Sequence, residues 1–179
     1  MAFGAHDAGM KLRAIQLMTM TTTPSTGKRG AFILLEGVDR CGKTTQVNLL
    51  TKHFADGGRD TVSFRFPDRT TQVGGLINEY LQSSVQTDDR AIHLLFSANR
   101  WEAAPKLAET LARGTNVVCD RYAYSGVAFT SAKCAEDRSS MSGGELTLEW
   151  CMSPDVGLPA PDVVIFLDLD QEEAEKRGG

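Results

Sequence analysis

The stretch Gly37-Val-Asp-Arg-Cys-Gly-Lys-Thr44 matches the complete phosphate-binding loop pattern G-x-x-x-x-G-K-[ST]. The apolar run 31–35 precedes it, and apolar residues at helical spacing follow it from Lys43 to Ala55. Gly37 and Gly42 allow backbone angles that residues with a Cβ resist, so successive N–H groups can turn toward one anion. The helix adds partial positive charge at its N-terminus. This strand–loop–helix context favours a phosphate site over a chance Gly-Lys turn.

The polar residues that end the pattern carry its chemistry. Lys43 is expected to reach the β- and γ-phosphates of a nucleoside triphosphate, and the Thr44 hydroxyl to bind Mg²⁺. The apolar run 117–119 ends in Asp120, which is predicted to hold Mg²⁺ directly or through water. The predicted triphosphate-binding residues are Gly37, Val38, Asp39, Arg40, Cys41, Gly42, Lys43, Thr44 and Thr45.

Composition and charge limit the classes of function. The chain has 179 residues, 41% hydrophobic and 23% charged, which is ordinary for one globular domain. Its net charge is −4, and residues 1–30 carry four Lys/Arg against one Asp, so the remainder is distinctly acidic. An acidic domain argues against a nucleic-acid polymer as a partner. No apolar run approaches the roughly 20 residues that span a bilayer, which argues against a membrane protein.

The cysteines, at positions 41, 119, 134 and 151, show neither a C-x-x-C pair nor an accompanying His cluster. We interpret them as reduced thiols of an intracellular protein, not as a zinc site or a disulfide framework. Cys41 is expected to be a somewhat activated thiol because it lies near Lys43 and a helix N-terminus. It is not expected to act as a nucleophile, because phosphoryl transfer needs no covalent protein intermediate.

Residues 1–29 are predicted to be a disordered tail, since residues 19–26 are rich in Thr, Ser and Pro. The alternative is organelle targeting, because residues 10–18 have the pattern of a short basic amphipathic helix. Asp7 and the shortness of the segment argue against that alternative.

Strands alternate with helices along residues 30–179, which predicts a three-layer α/β/α domain with a parallel sheet. The run Val163–Leu167 is apolar at every position, so burial on both faces is expected. Residues 134–145 are predicted to form a flexible surface loop. The predicted strands are 31–35, 61–66, 117–119 and 163–167. The predicted helices cover about 43–55, 75–81 and 88–103, a segment ending at Gly114, a stretch before residue 134, and a last helix from Asp170 that Gly178 ends.

Arg40, Arg69 and Arg121 stand close to the points where predicted strands end. Ligands of open α/β sheets sit beyond the carboxyl ends of the strands, and arginine forks onto phosphate oxygens. These residues therefore predict a site for a phosphorylated acceptor, the alternative for each being solvated surface charge. Phe96 and Arg100 lie four apart on one helix face and can stack and hydrogen-bond a nucleobase; from the residues alone, core packing of Phe96 is favoured.

The chain contains five motifs that belong together: L-E-G-V-D-R-C-G-K-T-T-Q, F-P-D-R-T-T, H-L-L-F-S-A-N-R-W-E, D-R-Y-A-Y-S-G-V-A-F-T and P-D-V-G-L-P-A-P-D. From Gly30 onward the chain resembles the eukaryotic-type thymidylate (dTMP) kinases, which are P-loop enzymes with strand order 2-3-1-4-5. The resemblance implies ATP-dependent phosphorylation of dTMP to dTDP with Mg²⁺, by a nucleoside monophosphate kinase domain over residues 30–179.

The resemblance also implies a role for each matching residue. Arg40, Lys43 and Arg121 would be catalytic, with Thr44 and Asp120 as the metal site. The dTMP site would consist of Asp39 on the 3′-hydroxyl, Phe66 in the wall, Arg69 on the acceptor phosphate, Phe96 stacked on thymine, Arg100 on its O4, Arg121 on the phosphates, Ser125 near the base and Phe129 against the 2′ carbon.

Two departures from the family pattern concern the loop 134–145, which is longer than is typical, and the chain end at Gly179. The family continues with a lid, a fifth strand and helices, so we expect Val163–Leu167 to be an open edge and the chain alone to be poorly soluble and nearly inactive. The resemblance further implies a homodimer, located in the cytoplasm and also the nucleus, with the mitochondrion as the alternative. The rival functions are another nucleotide or nucleoside kinase of the P-loop class, and a nucleotide-binding module without turnover.

Overall fold

A single mixed sheet forms the centre of the molecule in the computed structural model, which describes residues 11–15, 29–85, 87–136 and 146–176. Its spatial order is β1-β5-β2-β4-β3. Strands β2 to β5 are mutually parallel, so the predicted parallel order 2-3-1-4, counted from the strand before the phosphate loop, is confirmed. The strands are β1 Lys11–Ile15, β2 Phe32–Gly37, β3 Thr61–Arg65, β4 Asn116–Asp120 and β5 Val163–Asp168.

Helices cover both faces of this sheet, and one apolar cluster lies on each side. Phe32, Leu34, Leu107 and Val117 belong to the first cluster, and Leu35, Val47, Val118 and Leu167 to the second. No helix of the described segments is long and apolar enough to cross a membrane. The helices are α1 Lys43–Asp56, α2 Gln72–Leu81, α3 Asp89–Ala112, α4 Ala123–Glu136, α5 Leu148–Met152 and α6 Gln171–Lys176, with a 3₁₀ turn over Ser153–Asp155.

Helix α3 corrects the prediction of two separate helices between residues 88 and 114. It runs unbroken for 24 residues with Pro105 inside it. Proline removes one backbone hydrogen bond and usually ends a helix. Here Arg100, Ala104, Leu107 and Leu111 are all buried at helical spacing on both sides of the proline. This continuous buried face holds the two halves in line.

Strand β1 corrects the prediction that residues 1–29 are a tail throughout, and the alternative of a helix over 10–18. It pairs antiparallel with β5, with Lys11 opposite Asp168 and Ile15 opposite Val164. The outer edge of β5 presents backbone N–H and C=O groups that need partners, and this pairing supplies them. The edge expected to be open is therefore covered by the chain's own N-terminal segment, which removes the open edge from which poor solubility and low activity were expected. Residues 1–10 and 16–28 lie outside the described residues.

Strand β5 is less buried than its apolar sequence predicts. Val164 and Leu167 are buried, whereas Val163 is 46% exposed. The reason is position, because β5 lies next to the edge strand and the helices do not cover it fully.

The predicted loop 134–145 begins later than expected, because residues 134–136 continue α4. Residues 137–145 lie outside the described residues.

Candidate active site

The phosphate-binding loop leaves β2 and enters α1 as the sequence predicts. Gly37 has a φ of 147° and Gly42 a φ of 92°. A Cβ on Gly37 would lie 2.5 Å from the Leu167 carbonyl oxygen, so the neighbouring strand leaves no room for a side chain. Arg40 adopts a φ of 63°, a conformation that residues with a Cβ rarely take. The loop thus combines a required glycine with a strained arginine.

Lys43 is held across the loop. Its ammonium donates to the Gly37 carbonyl at 3.1 Å and to the Val38 carbonyl at 2.6 Å, and its side chain is buried. Each of these bonds is to the loop backbone, so the charge is fixed over the same N–H groups that the motif directs at an anion. The arrangement suits binding of phosphate oxygens.

Thr44 and Asp120, the predicted metal pair, lie in direct contact. The Thr44 hydroxyl donates to Asp120 Oδ2 at 2.6 Å, which joins the start of α1 to the end of β4. In the described parts of the chain, no group of three or more His, Cys, Asp or Glu side chains comes together as a metal cage. One hydroxyl and one carboxylate fit Mg²⁺, which takes its other ligands from water and substrate phosphates.

A cavity of about 390 Å³ opens beside the loop. Every side chain predicted for the acceptor nucleotide lines it: Asp39, Phe66, Arg69, Phe96, Arg100, Arg121, Ser125 and Phe129. These residues come from the phosphate loop, the segment after β3, helix α3, the residue after β4, and helix α4, and the parallel topology brings them to the carboxyl ends of the strands. Their roles toward a ligand remain predictions. Arg40 is exposed and is not among the residues that line this cavity.

Glu36 organises the cavity wall and was not predicted as a site residue. Its Oε1 accepts from the backbone N–H groups of Tyr122 and Ser125 at 3.0 and 3.2 Å, and its Oε2 from the Ser125 hydroxyl at 2.6 Å. Ser125 in turn accepts from Arg121 Nη1 at 2.9 Å, and Arg121 also pairs with Asp39. A buried acid thus holds the start of α4 and, through Ser125, the arginine. The sequence signal that could have identified Glu36 is its position as an acidic residue at the end of an otherwise apolar strand.

Burial raises the pKa of Glu36 above its ordinary value of 4.5, against the lowering effect of the hydrogen bonds from Ser125 and Tyr122. The folded protein therefore binds this proton more tightly than the unfolded chain. Glu36 contributes stability that is fully present below pH 4.5 and is lost as the pH rises through the raised pKa.

Glu36→Gln should therefore change the pH dependence of folding. The difference in unfolding free energy between variant and wild type should shift in favour of the variant as the pH rises above 4.5, because the amide has no proton to lose. Urea unfolding at a series of pH values measures this. Glu109→Gln, which alters an exposed pair with Arg113, is the matched control. Parallel pH profiles for wild type and Glu36→Gln would contradict the prediction.

Asn99 fixes the loop that carries Arg69. This fully buried side chain accepts from the Asp68 N–H at 2.7 Å and donates to the Asp68 carbonyl at 3.0 Å. On the other side of the loop, a Cβ on Gly74 would lie 1.9 Å from the Asp68 carbonyl oxygen. The loop is therefore enclosed by α3 and α2, which sets where Arg69 leaves the backbone. Asn99 carries no local sequence signal for this role, because Asp68 lies about 30 residues away in the chain.

Arg100 lies almost completely inside the protein. Its Nε and Nη2 atoms donate to the two carboxylate oxygens of Asp155 at 3.0 and 2.7 Å, and both side chains are buried. Asp155 was not predicted as a site residue. It belongs to the motif P-D-V-G-L-P, which contributes to the family resemblance. Its partner Arg100 lies 55 positions earlier in the chain.

Comparisons of sequence and structure relate the chain to known proteins. The sequence profile described as Thymidylate kinase matches residues 35–179. The chain is 52% identical over 151 residues to the thymidylate kinase of Danio rerio, covering 84% of this chain and 66% of that protein. It is 51% identical over 152 residues to that of Dictyostelium discoideum, covering 84% of this chain and 64% of that protein.

A solved structure of thymidylate kinase from Candida albicans superposes with a TM-score of 0.77 at 44% identity, covering 86% of this chain and 69% of that one. The chain thus spans about two thirds of the length of these curated relatives. Fold, loop, cavity and sequence identity agree, and the chain belongs to the thymidylate kinase family.

Proposed function

We propose that the protein transfers the γ-phosphoryl group of ATP to dTMP, giving dTDP and ADP. The observation that carries the proposal is the cavity beside the phosphate loop, in which the predicted acceptor residues lie together. Asp39 belongs to the loop and also lines the cavity, where it pairs with Arg121. The donor and acceptor sites therefore adjoin, as a direct transfer between two phosphates requires.

The reaction is an in-line attack by an acceptor phosphate oxygen on the γ-phosphorus, with breakage of its bond to the ADP oxygen. Lys43 and Arg40 neutralise the oxygens of the transferring group, while Arg69 and Arg121 align the acceptor. Thr44 and Asp120 would hold Mg²⁺, which would supply further positive charge to the phosphates. No general base is needed, because the attacking phosphate is already largely ionised.

Product analysis tests this function and separates it from its rivals. The protein with Mg²⁺ and ATP should convert dTMP to dTDP and leave thymidine unchanged, since a nucleoside acceptor needs a base for its hydroxyl. The acceptor dUMP should react more poorly yet measurably, because a missing methyl changes binding by only about 1–3 kcal/mol. Phosphorylation of thymidine in place of dTMP would contradict the proposal, and so would dTMP binding without dTDP formation.

We also propose that the protein is a homodimer. Exposed apolar side chains occur on α3, on α5 and directly after the 3₁₀ turn, and both helices contact that turn. Exposed apolar side chains on adjoining elements are typical of interfaces. They are Leu94, Leu148, Met152 and Val156. Sedimentation equilibrium measures the mass directly, and a monomer at micromolar concentration would refute this assignment.

The proposed location is the cytoplasm and the nucleus. Cys41, Cys119 and Cys151 are free, buried thiols, as is usual for proteins of reducing compartments. Imaging of the protein in cells, with a tag placed away from the N-terminus, tests this location against the mitochondrial alternative.

A further inference from the structure

We propose that Asp155 and Gly126 set the base specificity of the acceptor site by fixing the guanidinium of Arg100. Asp155 is a positioning residue that acts through Arg100, and Gly126 keeps space open for it. This inference rests on the proposed function, because it takes Arg100 as the group that meets the base.

The first observation is how Asp155 occupies one edge of the guanidinium. Nε and Nη2 of Arg100 are both bonded to it, with side-chain exposures of only 2% for Arg100 and 6% for Asp155. A paired fork of this kind fixes the plane of the guanidinium as well as its position. Among the described residues, Nη1 makes no hydrogen bond to the protein, which leaves it as the donor for a ligand.

The second observation is that Asp155 is itself immobilised. The single hydroxyl hydrogen of Ser97 is shared between two acceptors, Asp155 Oδ1 at 2.8 Å and the Pro154 carbonyl at 3.1 Å from Oγ. Trp101 donates from its indole nitrogen to the same Pro154 carbonyl at 2.7 Å. One face of α3 therefore holds the 3₁₀ turn that carries Asp155, and the Asp155 carboxylate binds Arg100 on the same face. Arg100 and Asp155 therefore cannot move together away from their positions.

The third observation concerns Gly126 in α4. A Cβ placed on this glycine would lie 3.0 Å from Arg100 Nη2 and 3.1 Å from Nη1. Such contact with the end of an arginine is ordinarily harmless because the side chain moves away. Here Arg100 is buried and bonded on its other edge, so it has no free direction. Arg100 and Gly126 both line the acceptor cavity, and any side chain at 126 would displace the donor that faces it.

The chemical consequence is selection by an atom of the base. Arginine carries donors and no acceptor, so a fixed Nη1 can donate to a carbonyl oxygen but cannot pair with an amino group at the same place. Thymine has a carbonyl at C4, and 5-methylcytosine has an amino group there. Discrimination between their nucleotides therefore reports whether Nη1 is held in place.

The experiment measures dissociation constants for dTMP and for 5-methyl-2′-deoxycytidine 5′-monophosphate by calorimetry. The wild type should bind dTMP more tightly, and Asp155→Asn and Gly126→Ala should each reduce that preference by roughly tenfold to a hundredfold. Affinity for ATP should stay within about twofold, because neither residue touches the phosphate loop. Gly75→Ala is the matched control for the glycine, since a Cβ there meets nothing within 4 Å.

A double-mutant cycle separates positioning from general stability. If Asp155 acts through Arg100, Asp155→Asn should not change the preference further in an Arg100→Met background. Gly126→Ala retains the ion pair, so it keeps the test decisive even if Asp155→Asn fails to fold. An unchanged preference in folded Gly126→Ala or Asp155→Asn protein would overturn the inference alone. Absence of dTMP binding by the wild type would overturn the proposed function as well.

Discussion

Arg40→Gly should lower kcat by about 10³–10⁵-fold, the range for removing an arginine that neutralises a transferring phosphoryl group. Affinity for dTMP should fall far less, because Arg40 does not line the acceptor cavity. The fold should not suffer. Arg40 has a φ of 63°, which glycine adopts without strain, so the unfolding free energy should stay equal or rise.

The combination of a large kinetic loss with retained stability is the specific signature of this assignment. Steady-state kinetics and urea unfolding of the same preparations measure both quantities. Ser83→Gly is the matched control, because Ser83 has a φ of 56° and lies outside the acceptor cavity. The Ser83→Gly variant should relieve backbone strain in the same way and leave kcat unchanged. Equal kcat values for Arg40→Gly and wild type would remove Arg40 from the catalytic groups.

Gly74→Ala should reduce kcat/KM for dTMP by about a hundredfold, since misplacement of an aligning group by about 1 Å has an effect of this size. The new Cβ would meet the Asp68 carbonyl oxygen at 1.9 Å, and a backbone atom cannot move aside as a flexible side chain does. Because Asn99 holds the same loop from α3, the loop must distort, and Arg69 moves with it.

The neighbouring position supplies the control. Gly75→Ala lies in the same helix, and its Cβ meets nothing within 4 Å, so it should leave kcat/KM unchanged and stabilise the helix slightly. ATP affinity should be unaffected in both variants. If Gly74→Ala and Gly75→Ala prove equivalent in dTMP kinetics, the loop is not fixed as described.

Local patterns in the sequence were sufficient to predict the phosphate loop and a parallel sheet, from a contiguous motif and from apolar runs of strand length between helices. The strand order and most of the residues that line the cavity were implied by the resemblance to the family. The sequence predicted two helices in place of α3, because Pro105 is a local signal for the end of a helix. The buried face formed by Leu107 and Leu111 outweighs that signal only once the sheet is in place.

The unpredicted site residues share one property. Glu36, Asn99 and Asp155 act on partners about 30 to 90 positions away, so no window of the sequence contains both members of a contact. Strand β1 escaped prediction for a related reason. Five residues carry little periodic signal, and their conformation is set by pairing with β5 at the other end of the described chain.

The residues of helix α3 have different structural roles. Asn99 holds the loop of Arg69, Arg100 meets Asp155, and Leu107 and Leu111 lie in the core. Each residue of a helix turns its successor by about 100° and advances it by about 1.5 Å. A single deletion before Asn99 would therefore rotate one set of these groups away from its partners. This helix can tolerate single substitutions, but it cannot tolerate a change of length. We therefore expect the number of residues in α3 to vary less among related proteins than its sequence does.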